Sequence, residues 1–161
     1  MEQIHTRSSR SLAQAGILTV LVAAAVVTPA AQARSATAPV IVTLDLTRYS
    51  SVAHLDAGAY AGVSPGRIVL HVGQTVVFVN SDERHHTATY LGEVSAFPQD
   101  PHWTDTALKA SGTIGSGAWT TGDLAPGARS SPIAASKAGT YLYGCFYDYS
   151  AGMRGEIVVE P

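Results

Sequence analysis

The sequence has a single cysteine among 161 residues, Cys145, so no disulfide can form within the chain. Charge is scarce as well: 14% of residues are charged, 12 acidic against 10 basic, for a formal charge of −2. That balance leaves no basic excess to hold a phosphate backbone, and no aromatic and basic pattern for nucleic acid is present. The chain also lacks a phosphate-binding glycine motif, a paired-carboxylate signal, an internal repeat and a low-complexity tail. Its 46% hydrophobic content excludes a disordered chain.

The one long apolar run, Ala15 to Val27, falls short of the roughly 20 residues that a membrane span needs. Arg7 and Arg10 precede it, and Pro29 and Ala31-Gln32-Ala33 follow. This is the pattern of a secretory signal peptide cleaved after Ala33. No cysteine stands at the junction to carry a lipid, and Ser8 and Ser9 separate the two arginines, which removes a twin-arginine signal. Residues 34–161 are then the exported, periplasmic or secreted domain. Cleavage removes Arg7, Arg10 and Glu2, so the formal charge moves from −2 to −3. One domain is expected, monomeric and without an integral membrane segment.

The pattern of the exported part is all-β. From Ile41 to Tyr49 apolar and polar residues alternate; Arg67 to Val72 and Thr75 to Asn80 are β-branched runs joined by Gly73-Gln74, a hairpin signal. His86 to Leu91, Gly139 to Cys145 and Gly155 to Glu160 complete the strands, with a turn at Ala125-Pro126-Gly127. Short strands separated by turns predict a β-sandwich. His54 to Pro65 reads as a Gly/Ala-rich loop. Glu93 to Trp119 reads as a long polar insertion, helical over Trp103 to Lys109, lying over one end of the sheets.

A lone thiol in an oxidising compartment needs burial or a role. Strand period two puts Tyr141, Tyr143 and Cys145 on one inward face. Asp148 follows three residues after the thiol and Met153 eight after it. Thiolate, carboxylate and thioether at that spacing can converge on one ion. Upstream, His85 and His86 follow the strand that ends at Asn80, and imidazole with thiolate suits copper or zinc. Cys, His and Asp supply only three of the four ligands of a structural zinc site. A Cys145–His86 nucleophile pair has no oxyanion-hole signal beside it, so an enzyme is not expected.

Two motifs resemble the cupredoxin family, the small blue copper proteins such as plastocyanin and pseudoazurin. Asn80, Asp82, His86 and Thr87 match Asn-x-Asp-x-x-x-His-Thr. Gly139 to Cys145 followed by Gly152 to Gly155 match Gly-Thr-Tyr-x-Tyr-x-Cys and a ligand loop ending Gly-Met-x-Gly. The resemblance implies an eight-stranded Greek-key sandwich holding one type 1 copper. It further implies His86 as the first histidine ligand, Cys145 as the thiolate and Met153 as the axial thioether. Thr87 is implied to tie its strand to the cysteine loop.

The family's second histidine is replaced by Asp148, and no histidine occurs after His102. Either Asp148 coordinates, favouring Cu(II) and lowering the potential, or His85, His102, His71 or His54 completes the site; His5 leaves with the signal peptide. The aromatic loop residues Phe146, Tyr147 and Tyr149 would exclude water and offer a surface to a partner. The implied function is electron shuttling between redox protein partners. The alternatives are a copper carrier or buffer with a non-blue His/Cys/Asp site, and a metal-free sandwich with a buried thiol.

Overall fold

The computed structural model describes residues 37–49 and 61–161. The signal peptide read over 1–33 and the candidate ligand His54 lie outside the described residues.

The alternation in β1 (Val40–Leu44) buries Val42 and Leu44 and leaves Ile41 exposed. The strand expected to continue to Tyr49 stops at Leu44, and Leu46–Tyr49 forms one helical turn, α1. Capping causes the break. Asp45 Oδ1 accepts the Arg48 N–H at 2.8 Å, and Asp82 Oδ2 accepts those of Leu46 and Thr47 at 2.8 and 3.2 Å. The second carboxylate comes from far along the chain, so the local alternation carried no sign of it.

Seven further strands follow: β2 (Val63–Ser64), β3 (Arg67–His71), β4 (Thr75–Asn80), β5 (Thr89–Tyr90), β6 (Ile133–Ala134), β7 (Gly139–Gly144) and β8 (Arg154–Glu160). One four-stranded sheet has the order β2-β1-β4-β6 and the other β3-β8-β7-β5. Neighbours are antiparallel except β1 with β4 and β3 with β8. The expected all-β sandwich is the observed fold.

The expected hairpin at Gly73-Gln74 is not one. β3 pairs with β8 and β4 with β1 and β6, so the turn carries the chain from one sheet to the other. Gly73, at φ 92°, makes the corner, and its N–H is held by the Ala135 carbonyl at 2.8 Å. Ile68 and Leu70 then face Val76 and Phe78 from opposite sheets within one core.

The predicted helical insertion reduces, among the described residues, to one 3-10 turn over Asp105–Leu108. Thr104 caps it. Its downstream end is not peripheral: Ile114 and Trp119 are buried in the core. Trp119 sits between the rings of Phe78, Tyr90 and Tyr143 at 5.8–6.2 Å. Residues 97–103 pack against the loop after β7. Tyr149 donates its hydroxyl to the Pro98 carbonyl at 2.7 Å, and Trp103 meets that ring edge-on at 5.4 Å. Among the described residues, no helix is long and apolar enough to cross a membrane.

Candidate metal centre

Three segments meet at one end of the sandwich. His86 lies in the link from β4 to β5, its backbone clamped by two hydrogen bonds with Leu124 at 3.1 and 2.9 Å. Cys145 directly follows β7, and its N–H is held by the Met153 carbonyl at 2.9 Å. Asp148 precedes the 3-10 turn Tyr149–Ala151, and its carbonyl accepts the N–H groups of Ala151 and Met153. Thr87 stitches the segments together: its N–H points to Cys145 Sγ at 3.5 Å, and its hydroxyl oxygen accepts the Phe146 N–H at 2.9 Å.

The donor atoms converge. His86 Nδ1 lies 3.6 Å from Cys145 Sγ and 3.2 Å from Asp148 Oδ2, and Sγ lies 3.9 Å from that oxygen. The His86 side chain is 0% exposed and Cys145 1%, while Asp148 is 17% exposed. Among the described residues this is the only group of three or more His, Cys, Asp or Glu side chains close enough to hold a metal ion.

One imidazole faces two carboxylates. His86 Nε2 is 3.0 Å from Asp82 Oδ2, and Nδ1 faces Asp148. A neutral ring donates from one nitrogen only. With Nε2–H given to Asp82, the Nδ1 lone pair opposes an anionic oxygen, unless a second proton or a metal ion stands between them. Burial pushes Asp82 upward, but hydrogen bonds from His86, Thr47 and Glu83 outweigh it and hold the carboxyl well below the usual carboxylate range. Burial pushes the Cys145 thiol up, partly offset by the backbone N–H of Thr87, and the charge of Asp148 adds to the rise.

Met153 is fully buried in the same core cluster as Cys145. His85 is exposed and turns to Asp123, with Nδ1 at 2.9 and 3.0 Å from its carboxylate oxygens. Burial first, and then the charge of Asp123, push the Tyr147 phenol above its ordinary value. His102 lines a groove with Tyr90, Leu91 and Trp103, and His71 lies at the end of β3 beside Pro161 and Glu160. None of these three joins the group, whereas Asp148 does.

Asn80 and Asp82 carry structural roles that their motif alone did not specify. The Asn80 amide donates to the carbonyls of Arg84 and Leu124 at 2.7 and 2.8 Å, and its oxygen accepts the Asp82 N–H. The loop that presents His86 is thereby bolted at both ends.

No family model matches the chain, and no curated protein matches it. Solved structures similar to it in fold are cupredoxins. A purple cupredoxin from Nitrosopumilus maritimus is 16% identical, covering 75% of this chain and 99% of that one, with a TM-score of 0.47. A reduced Cu(I) amicyanin variant at pH 4 is 18% identical, covering 78% and 85%, with a TM-score of 0.46. Another reduced amicyanin variant is 18% identical, covering 81% and 88%, with a TM-score of 0.44. At these identities and scores, no ligand or partner transfers from them to this chain.

Proposed function

We propose that residues 34–161 are an exported copper protein in which His86, Cys145 and Asp148 hold one copper ion, with Met153 as a weak fourth ligand, and that it carries electrons between redox proteins. The observation that carries this reading is the buried donor triangle with edges of 3.2, 3.6 and 3.9 Å. Metal bonds of about 2.3 Å to sulfur and about 2.0 Å to nitrogen or oxygen, at angles near 120°, separate donors by about 3.5–3.7 Å. The donors present therefore fit a metal ion. Imidazole and thiolate together suit copper.

When bound, copper supplies a one-electron couple. The chain supplies a cage whose members are held before any ion arrives. Leu124 clamps His86, Met153 and Thr87 hold Cys145, and the 3-10 turn fixes Asp148. Such pre-positioning keeps ligand movement small between oxidation states. The 1% exposure of Cys145 favours a carrier over an enzyme that uses the thiol as a nucleophile. The reading of residues 1–33 as a leader supports export.

A second reading, a copper carrier or buffer without fast redox cycling, is favoured by Asp148. Its anionic oxygen replaces an imidazole nitrogen, prefers Cu(II), and is the one partly exposed donor of the three. Cu(II) titration with visible and paramagnetic resonance spectra and metal analysis tests both. An intense thiolate band with narrow hyperfine splitting is expected for electron transfer. Bound copper with weak colour and wide splitting selects the carrier, and no stoichiometric copper overturns both.

A further inference from the structure

We propose that Asp82 is the positioning residue of the centre, fixing His86 with Nε2–H turned to its carboxylate and Nδ1 turned to Cys145 and Asp148. This rests on the reading of the triad as a copper site.

The Asp82 side chain is 1% exposed, yet it accepts hydrogen bonds from five donors. Oδ2 takes the N–H groups of Leu46 and Thr47 at 2.8 and 3.2 Å and His86 Nε2 at 3.0 Å. Oδ1 takes the Thr47 hydroxyl at 3.0 Å and the Glu83 N–H at 2.7 Å. Three of those partners are backbone N–H groups, which can only donate. The carboxylate is thus committed as an acceptor whatever the ring does, and the imidazole must donate to it. The proton lies on Nε2, and Nδ1 keeps its lone pair for the triad.

The same carboxylate caps α1, so the ring is braced against a segment 36 residues earlier in the chain. The bracing is doubled next door. Asp45 accepts the Ser81 hydroxyl at 2.8 Å and the Arg48 N–H at 2.8 Å, and Ser81 N–H reaches the Leu44 carbonyl at 3.0 Å. Asp82 therefore does two things to His86: it selects the nitrogen that faces the ion, and it makes the ring a stronger donor. The second effect favours Cu(II) over Cu(I).

The test compares the full chain with Asp82→Asn, which keeps the size of the side chain but removes its charge. Expected are a Cu(II) affinity about 10–100-fold weaker, a higher reduction potential, and a shifted thiolate band. Unchanged affinity and potential in a variant that still binds copper overturns the proposal. If the original chain binds no copper, the metal reading itself has failed, and the proposal falls with it. A second measurement does not depend on the variant's folding. Ring ¹⁵N and ¹H spectra of the Cu(I)-loaded chain are expected to display His86 Nε2–H as a protected proton with Nδ1 unprotonated. A protonated Nδ1 with Nε2 on the metal overturns the assignment.

Discussion

Asp148 Oδ2 stands 3.2 Å from His86 Nδ1, at the position in the loop where the cupredoxin pattern has its second histidine. In the proposed site the substitution therefore leaves no vacancy. A carboxylate occupies the corner, on a loop held by the 3-10 turn and by Tyr149, and it brings a negative charge where an imidazole would be neutral.

The first prediction follows from that charge. Asp148→His is expected to raise the reduction potential and intensify the thiolate band, because a neutral nitrogen favours Cu(II) less than an anionic oxygen does. Voltammetry and visible spectra of the copper-loaded variant check it. An unchanged spectrum removes Asp148 from the ligand set.

Cys145→Ser is expected to abolish the intense visible band while the fold persists. A hydroxyl in a site that is 1% exposed costs about 1–3 kcal/mol where its hydrogen bonding is incomplete. Thermal unfolding should report a lower Tm, and a retained band would take the thiolate out of the site.

Metal uptake is expected to release the Cys145 proton at pH 7. Burial holds the thiol above its ordinary value, so it is protonated before the ion binds. Affinity should then weaken about tenfold per pH unit for this one proton as pH falls. Calorimetry in buffers of different ionisation enthalpy measures the release, and Cys145→Ser should reduce it by one proton.

Asp82 predicts acid sensitivity of the metal-free chain. Its folded carboxyl lies well below its ordinary value of 3.8. As pH falls past about 4, the unfolded chain takes up this proton first. The stabilisation is complete above that pH and is lost progressively below it. Asp82→Asn should flatten this part of the profile and cost about 1–3 kcal/mol at pH 7, since one acceptor oxygen becomes an NH2 group that faces backbone N–H donors. Denaturant unfolding at a series of pH values provides the comparison.

Gly144→Ala tests the support of the ligand loop. A Cβ there would lie 2.5 Å from Tyr149 Cδ2, and that ring is pinned by Pro98, Trp103 and the Arg154 guanidinium 4.1 Å from its centroid. The ring cannot yield freely, so a loss of about 1–3 kcal/mol is expected, with weaker copper binding. Tyr149→Phe, which loses only the hydroxyl bond, should cost about 1 kcal/mol.

Much of this was legible in the sequence, for identifiable reasons. The inward face of Tyr141, Tyr143 and Cys145 follows from period two, and all three lie in the core cluster. The strand Thr75–Asn80 has the bounds its β-branched run suggested. Trp119 was hidden because it ends a polar stretch, and no local pattern says that such a stretch turns inward. Gly73-Gln74 misled because a tight turn between two β-branched runs has the same local chemistry whether the strands pair or part.

The sequence by itself determined the class of fold, the spacing from Cys145 to Met153, and the lack of any histidine after His102. Those are properties of neighbouring residues, and alternation and spacing record them directly. Tertiary structure alone decided that Asp148 rather than His85 or His102 meets His86, that β3 and β4 belong to different sheets, and that Asp82 both caps α1 and holds the ring. Each of these depends on groups brought together from distant parts of the chain, 59 residues apart for His86 and Cys145 and 36 for Leu46 and Asp82. Side-chain charge and hydrogen-bond capacity are written at single positions. Which of them are satisfied by one another is settled only when the sandwich closes.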